Sequence, residues 1–134
     1  MKAHISSSLA TFFRDRFLKK FNLDQDKNDY DEKLVIFGCY NSRDMARIIN
    51  HRAEITLIWA GTDVLNVDNL LILKDFSNIK HIAQSKDIYL KLLEFNFEAE
   101  FKQISLTDFD YWKPVPLGDK IYIYTSQTRP DKYG

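Results

Sequence analysis

Three short segments carry the residue types that could do chemistry: Gly38-Cys39-Tyr40-Asn41-Ser42, Gly61-Thr62-Asp63 and Gln84-Ser85. Each follows an apolar run, and the first and third precede a helical pattern. Backbone N–H groups at a helix start, aided by the helix dipole, suit a phosphate, a carboxylate or a sugar hydroxyl. Each segment also has a purely structural reading, in which Gly38 and Gly61 allow tight turns while Asn41 and Ser85 cap helices. Asp63, at a strand end after Thr62, can bind sugar hydroxyls or act as a base, or it can cap the next segment.

Several familiar sites are excluded. The first glycine loop lacks G-x-G-x-x-G spacing, and no phosphate loop or G-x-S-x-G elbow occurs. Asp24, Asp26 and Asn28 alternate like a calcium loop, but Asp29 and Val35 stand where Gly and Glu are required. His4, His51 and His81 have no metal-site spacing with Cys39. His81 reads as a satisfied core or subunit-edge histidine, and His51 as a surface residue favoured by a helix C-terminus. Cys39 beside Gly38 near a helix start has either a lowered pKa or the role of a small core filler.

The elements that must position these residues follow from apolar spacing. Leu9, Phe12, Phe13, Phe17, Leu18 and Phe21 form a helical stripe after the Ser6–Ser8 cap, with Arg14, Arg16, Lys19 and Lys20 on its solvated face. The polar stretch Asn22 to Lys33 reads as a solvated connector. Leu34-Val35-Ile36-Phe37 predicts a strand buried on both faces. Asn41 or Ser42 caps a helix through Met45, Ile48 and Ile49, and Ile55 to Trp59 is a second strand. Val64 to Phe76 reads either as a short helix capped by Asp68 or as a strand. Ile79 to Ala83 is a strand, Ser85 starts a helix ending near Asn96, and Ala99 to Ile104 is another strand. This order predicts an α/β fold: a Rossmann-like three-layer domain with a mostly parallel sheet, preceded by an amphipathic helix.

Three divisions are expected: residues 1–32 as helix and acidic connector, 33–117 as the Rossmann-like domain, and 118–134 as the start of a second domain or a returning strand. A rigid Lys113-Pro114-Val115-Pro116 link precedes the strand Lys120 to Thr125, so a longer natural chain is expected.

Composition narrows the function classes. The 134 residues hold 19 basic and 19 acidic side chains, which gives no concentrated positive surface for nucleic acid. A single cysteine rules out an internal disulfide. No apolar run is long enough to span a bilayer, and no secretory leader is visible, so a cytoplasmic location is expected.

Leu34 to Tyr40 (LVIFGCY), Asp44, Ile48 to Asp63 (IINHRAEITLIWAGTD), Ile79 to Phe95 (IKHIAQSKDIYLKLLEF) and the segment from Lys113 (KPVPLGDKIYIYTSQTRPDKYG) together resemble the amino-terminal domain of GT-B glycosyltransferases. The resemblance implies two Rossmann-like domains across a cleft. The first offers acceptor-side loops, and the second binds most of the nucleotide-sugar donor. It places Gly38, Asn41, Ser42, Gly61, Thr62 and Ser85 on the cleft, with Asp63 as the catalytic candidate. It implies no metal and no cofactor held by this chain, a nucleotide-sugar donor for the complete enzyme, and a carboxy-terminal domain and an acceptor glycan or small molecule as partners. A homo-oligomer and the stereochemical outcome stay open. The rival readings are a flavodoxin-like or receiver-like binding module without catalysis, and an interaction protein that pairs through its aromatic amino-terminal helix.

Overall fold

The computed structural model of the protein describes residues 1–106, together with Pro116 and Gly118. Among them six strands form one all-parallel sheet in the order β2-β1-β3-β4-β5-β6. The strands are β1 (Lys2–Ile5), β2 (Asp24–Gln25), β3 (Leu34–Phe37), β4 (Ile55–Trp59), β5 (Ile79–Ala83) and β6 (Ala99–Phe101). The helices are α1 (Ser7–Phe21), α2 (Ser42–Ile49), α3 (Val67–Leu73) and α4 (Lys86–Glu94), with a 3-10 turn at Thr62–Leu65. The expected α/β, Rossmann-like layered fold is the observed one, with every strand pair parallel.

The chain runs outward from β1 to β2, then returns to place β3 on the other side of β1. Crossovers of one hand that travel in opposite directions must lie on opposite faces. Accordingly Phe17 of α1 packs with Ala3, Val35, Phe37, Ile58 and Ile82 on one face. On the other, Met45 and Ile48 of α2, Leu70 and Leu73 of α3, and Ile88 and Leu92 of α4 bury Leu34, Ile36, Leu57 and Trp59. β3 is buried at all four residues because both faces are covered. The reversal of strand order between β1 and β3 marks the carboxyl ends of those strands as the crevice of the fold.

The amino-terminal segment departs from expectation. Instead of a helix and connector preceding the domain, residues 2–25 supply two strands of the sheet, and α1 is the crossover between them. β1 escapes a search for apolar runs because Lys2 and His4 alternate with Ala3 and Ile5, and both polar residues have partners. Lys2 pairs with Glu32 at 2.8 Å, and His4 with Asp44. The acidic stretch is not merely solvated either: Asp26, Asp31 and Glu32 pair with Arg47, Arg52 and Lys2. Within α1 only Phe17 is fully buried, stacked on Phe37 with centroids 4.6 Å apart, while Phe12 is 73% exposed.

Elsewhere the differences are local. Val64 to Phe76 contains a helix, α3, capped by Asn66 rather than Asp68, whose side chain accepts from the Asn69 N–H. β6 stops at Phe101, and Ile104 and Leu106 instead pack on the α1 face. The expected strand Lys120 to Thr125, the boundary at 117/118 and most of the proline link lie outside the described residues. None of the helices among the described residues is long and apolar enough to cross a membrane.

Candidate functional site

The turns after β3 and β4 are each organised by one buried aspartate. Gly38 takes φ +81°, a conformation that favours glycine, and a Cβ there would sit 2.6 Å from Cδ1 of Leu9, which would have to shift. Asn41 then caps α2, accepting from the Asp44 N–H at 3.1 Å, while Asp44 accepts from the Asn41 N–H at 3.3 Å in a reciprocal capping box.

Asp63 is spent on backbone. Its carboxylate accepts from the N–H groups of Ala60, Gly61 and Val64 in its own turn, and from Cys39 in the neighbouring one. Burial pushes its carboxyl up from the ordinary value, and those four amides counter it only in part. At 2% exposure, with both oxygens occupied, it is a tie between two turns and offers nothing to a substrate. The expected catalytic role for Asp63 therefore has no free lone pair to work with.

Cys39 is fully buried beside Met45, and burial pushes its thiol up to about 12, with the Asp44 and Asp63 charges adding to the effect. A lowered pKa is excluded, and the core-filler reading holds. Thr62 is exposed and within hydrogen-bonding reach of Tyr40, whose hydroxyl lies 3.5 Å from where a Gly61 Cβ would stand. Gln84 donates to the Trp59 carbonyl at 3.3 Å, and Ser85 caps α4 by accepting from the Ile88 N–H. Ser42 is the exposed first residue of α2. The expected loops thus follow three neighbouring parallel strands and form a rim at the carboxyl edge, with Tyr40 and Asn41 after β3, Thr62 after β4, and Gln84 and Ser85 after β5. Gly38 is buried beneath it.

Sequence reasoning missed a polar grouping around Asp44. Asp44, 1% exposed, accepts from Nε2 of His4 at 2.8 Å, from the Ser6 hydroxyl at 2.6 Å and from the Tyr40 N–H at 2.9 Å. Burial pushes its carboxyl up, but His4, Ser6 and the Tyr40 amide more than offset this and hold it below the ordinary value. An ionised carboxylate can only accept, so Nε2 of His4 carries a proton, and in the neutral ring Nδ1 presents a lone pair. His4 Nδ1 has no hydrogen-bond partner among the described residues. An aspartate that orients a mostly buried histidine at the edge of a cleft is an arrangement suited to taking a proton from a hydroxyl.

A second polar cluster flanks it. Arg47, 4% exposed, donates to Asp26 at 2.6 and 3.0 Å and to the Asp29 carbonyl, and lies 4.5 Å over the Tyr30 ring. Burial pushes the Asp26 carboxyl up, yet the Arg47 bonds and charge hold it below its ordinary value. Arg47 also donates to Nδ1 of His51, which is buried and not on the surface. Desolvation and the Arg47 charge push His51 down. His81 is the satisfied core histidine expected, accepting from Trp59 Nε1 at 3.1 Å, with burial lowering its pKa to about 4. Among the described residues no group of three or more His, Cys, Asp or Glu could hold a metal ion.

No family model, curated protein or solved structure matches this chain. The functional reading therefore rests on the site alone.

Proposed function

We propose that this chain is the acceptor-side unit of a sugar-transferring enzyme. An acceptor hydroxyl gives its proton to Nδ1 of His4 as its oxygen attacks the anomeric carbon of a nucleotide-sugar donor, and nucleoside diphosphate departs. Asp44 orients His4 and stabilises the imidazolium that forms. The observation that carries this reading is the His4–Asp44 pair at the strand-order reversal. Asn41, Tyr40, Thr62, Gln84 and Ser85 suit a polyhydroxyl ligand, since none carries a charge. A departing diphosphate needs basic groups and helix N-termini arranged around it. The rim residues themselves include no Lys or Arg, and the donor diphosphate is therefore assigned to a second unit.

Calorimetry with nucleotide sugars, together with a transfer assay on this chain by itself, tests the assignment. Micromolar donor binding accompanied by turnover would overturn it. In the assembled enzyme His4→Ala lowers the transfer rate by about 10²–10⁴-fold, the usual contribution of a general base.

The sheet order favours one second reading, because its first five strands run 2-1-3-4-5, the order of flavodoxin-like and receiver-like modules, with β6 added at the edge. A receiver needs free acids at its strand ends. Asp44 and Asp63, the buried acids of the turns after β3 and β4, are both fully engaged, which disfavours that alternative.

A further inference from the structure

β1 has an outer neighbour along only half its length. β2 is matched with Lys2 and Ala3, the Asp26 N–H closes the pairing on the Ala3 carbonyl, and the chain then turns away. His4 and Ile5 border a cleft of about 580 Å³ instead of a strand. That volume is within the roughly 300–1,000 Å³ usual for small-molecule sites. One wall comes from α1 with Ser7 and Arg14, the other from α2 with Arg43 and Arg47.

The charges in this cleft do not cancel. Arg47 is neutralised by Asp26, with both side chains about 3% exposed. Arg43 has no ion pair among the described residues. Arg14 pairs only with the exposed Asp15 beside it in sequence, at 3.2 Å, a contact worth little in water. Two guanidinium groups from opposite walls are therefore available, in a chain whose formal net charge is zero. Between them His4 lines the cleft, with Nδ1 left as an acceptor.

We propose that this cleft binds a phosphorylated polyol, of which a sugar phosphate is the simplest example. The phosphate sits between Arg14 and Arg43, and a ligand hydroxyl donates to Nδ1 of His4. A dianion with three terminal oxygens uses two guanidinium forks, whereas a carboxylate is satisfied by one. The hydroxyl contact shares His4 with the sugar-transfer reading and makes the acceptor an anionic sugar. The phosphate contact depends on the cleft alone.

Titration of the full chain at neutral pH and low salt with glucose 6-phosphate, inorganic phosphate, glucuronate and glucose separates these parts. Glucose 6-phosphate binds tightest, inorganic phosphate competes with it more weakly, and glucose does not bind. Arg14→Gln and Arg43→Gln each weaken glucose 6-phosphate about tenfold, the worth of one charge-assisted contact. Lys19→Gln, on the same helix but outside the cleft, leaves the affinity unchanged. His4→Ala removes the advantage of glucose 6-phosphate over inorganic phosphate. Three results would each overturn the assignment: glucuronate binding as tightly as glucose 6-phosphate, equal losses at Lys19 and Arg43, or no anion binding. Binding with this pattern but no transfer in the assembled enzyme would sink the transfer reading and leave the cleft assigned.

Discussion

Asp44, in the first turn of α2 after β3, and Asp63, in the 3-10 turn after β4, are both almost fully buried and both shape the turn around them, yet they are put to opposite uses. Asp63 accepts from backbone amides alone, four of them, and so joins the turn after β4 to the turn after β3. Asp44 gives part of its capacity to the backbone of its own turn and the rest to two side chains, His4 and Ser6, from β1 and the start of α1. A carboxylate saturated by amides can only hold a turn still. One that also reaches a titratable side chain sets where that group's proton sits. The same residue type, just beyond the carboxyl ends of two neighbouring strands, thus yields a scaffold in one turn and a proton-orienting contact in the other.

Asparagine substitutions separate the two roles. Asp63→Asn places an amide nitrogen, itself a donor, against the N–H groups of Cys39, Ala60, Gly61 or Val64. Whichever way the amide turns, two donors face each other in a buried site. A loss of about 3 kcal/mol is expected in urea unfolding, at the upper end for a broken buried hydrogen-bond set. Gly38→Ala comes next, at about 2 kcal/mol by the same measurement, because an L-residue at φ +81° is strained and the new methyl meets Leu9. Asp44→Asn costs least, about 1 kcal/mol, because the site can readjust. The Asn oxygen accepts from the amides of Tyr40 and Asn41, and its nitrogen donates to Nε2 of His4, which changes tautomer. Nδ1 then carries the proton and cannot accept one. Transfer by the assembled enzyme falls by orders of magnitude although the fold persists, as for an aspartate whose role is to fix a tautomer. Nitrogen-15 shifts of the His4 ring read the tautomer directly. An unchanged ring with unchanged transfer would remove the distinction between the two aspartates.

Where sequence and structure agree, the signal was local. β3 announced itself as an unbroken apolar run stopped by Gly38, and the caps Asn41 and Ser85 stood one helix start from their amide partners. The rim loops were legible for the same reason, since each follows directly from a strand the eye can find. β1 was hidden because only two of its four residues are apolar, and His4 because its partner lies 40 positions away. The exposure of His51 was misread in the same way. Its place at the end of α2 suggested solvent, but the acidic strap folded back over Arg47 and buried both. The cleft beside β1 exists only because β2 stops after two residues, a length set by tertiary packing and not by any turn signal.

The smallest effect expected is also the one that tests the comparison without removing either hydrogen-bond set. Asp44 has a folded pKa below its ordinary value of 3.8, and Asp63 one above it. For Asp44 the folded state holds fewer protons than the unfolded chain. Its stabilisation is present above 3.8 and is lost as pH falls through the lowered folded value. For Asp63 the folded state holds more protons. Its contribution is fully present below 3.8 and is lost as pH rises through the raised folded value. The two windows therefore lie on opposite sides of 3.8, and their slopes have opposite signs. Measured from pH 3 upward, the stability gap between the parent chain and Asp44→Asn widens with rising pH, while the gap to Asp63→Asn narrows. Gaps that move in the same direction would mean that the amides around Asp63 outweigh its burial, and that it is as well solvated by the protein as Asp44.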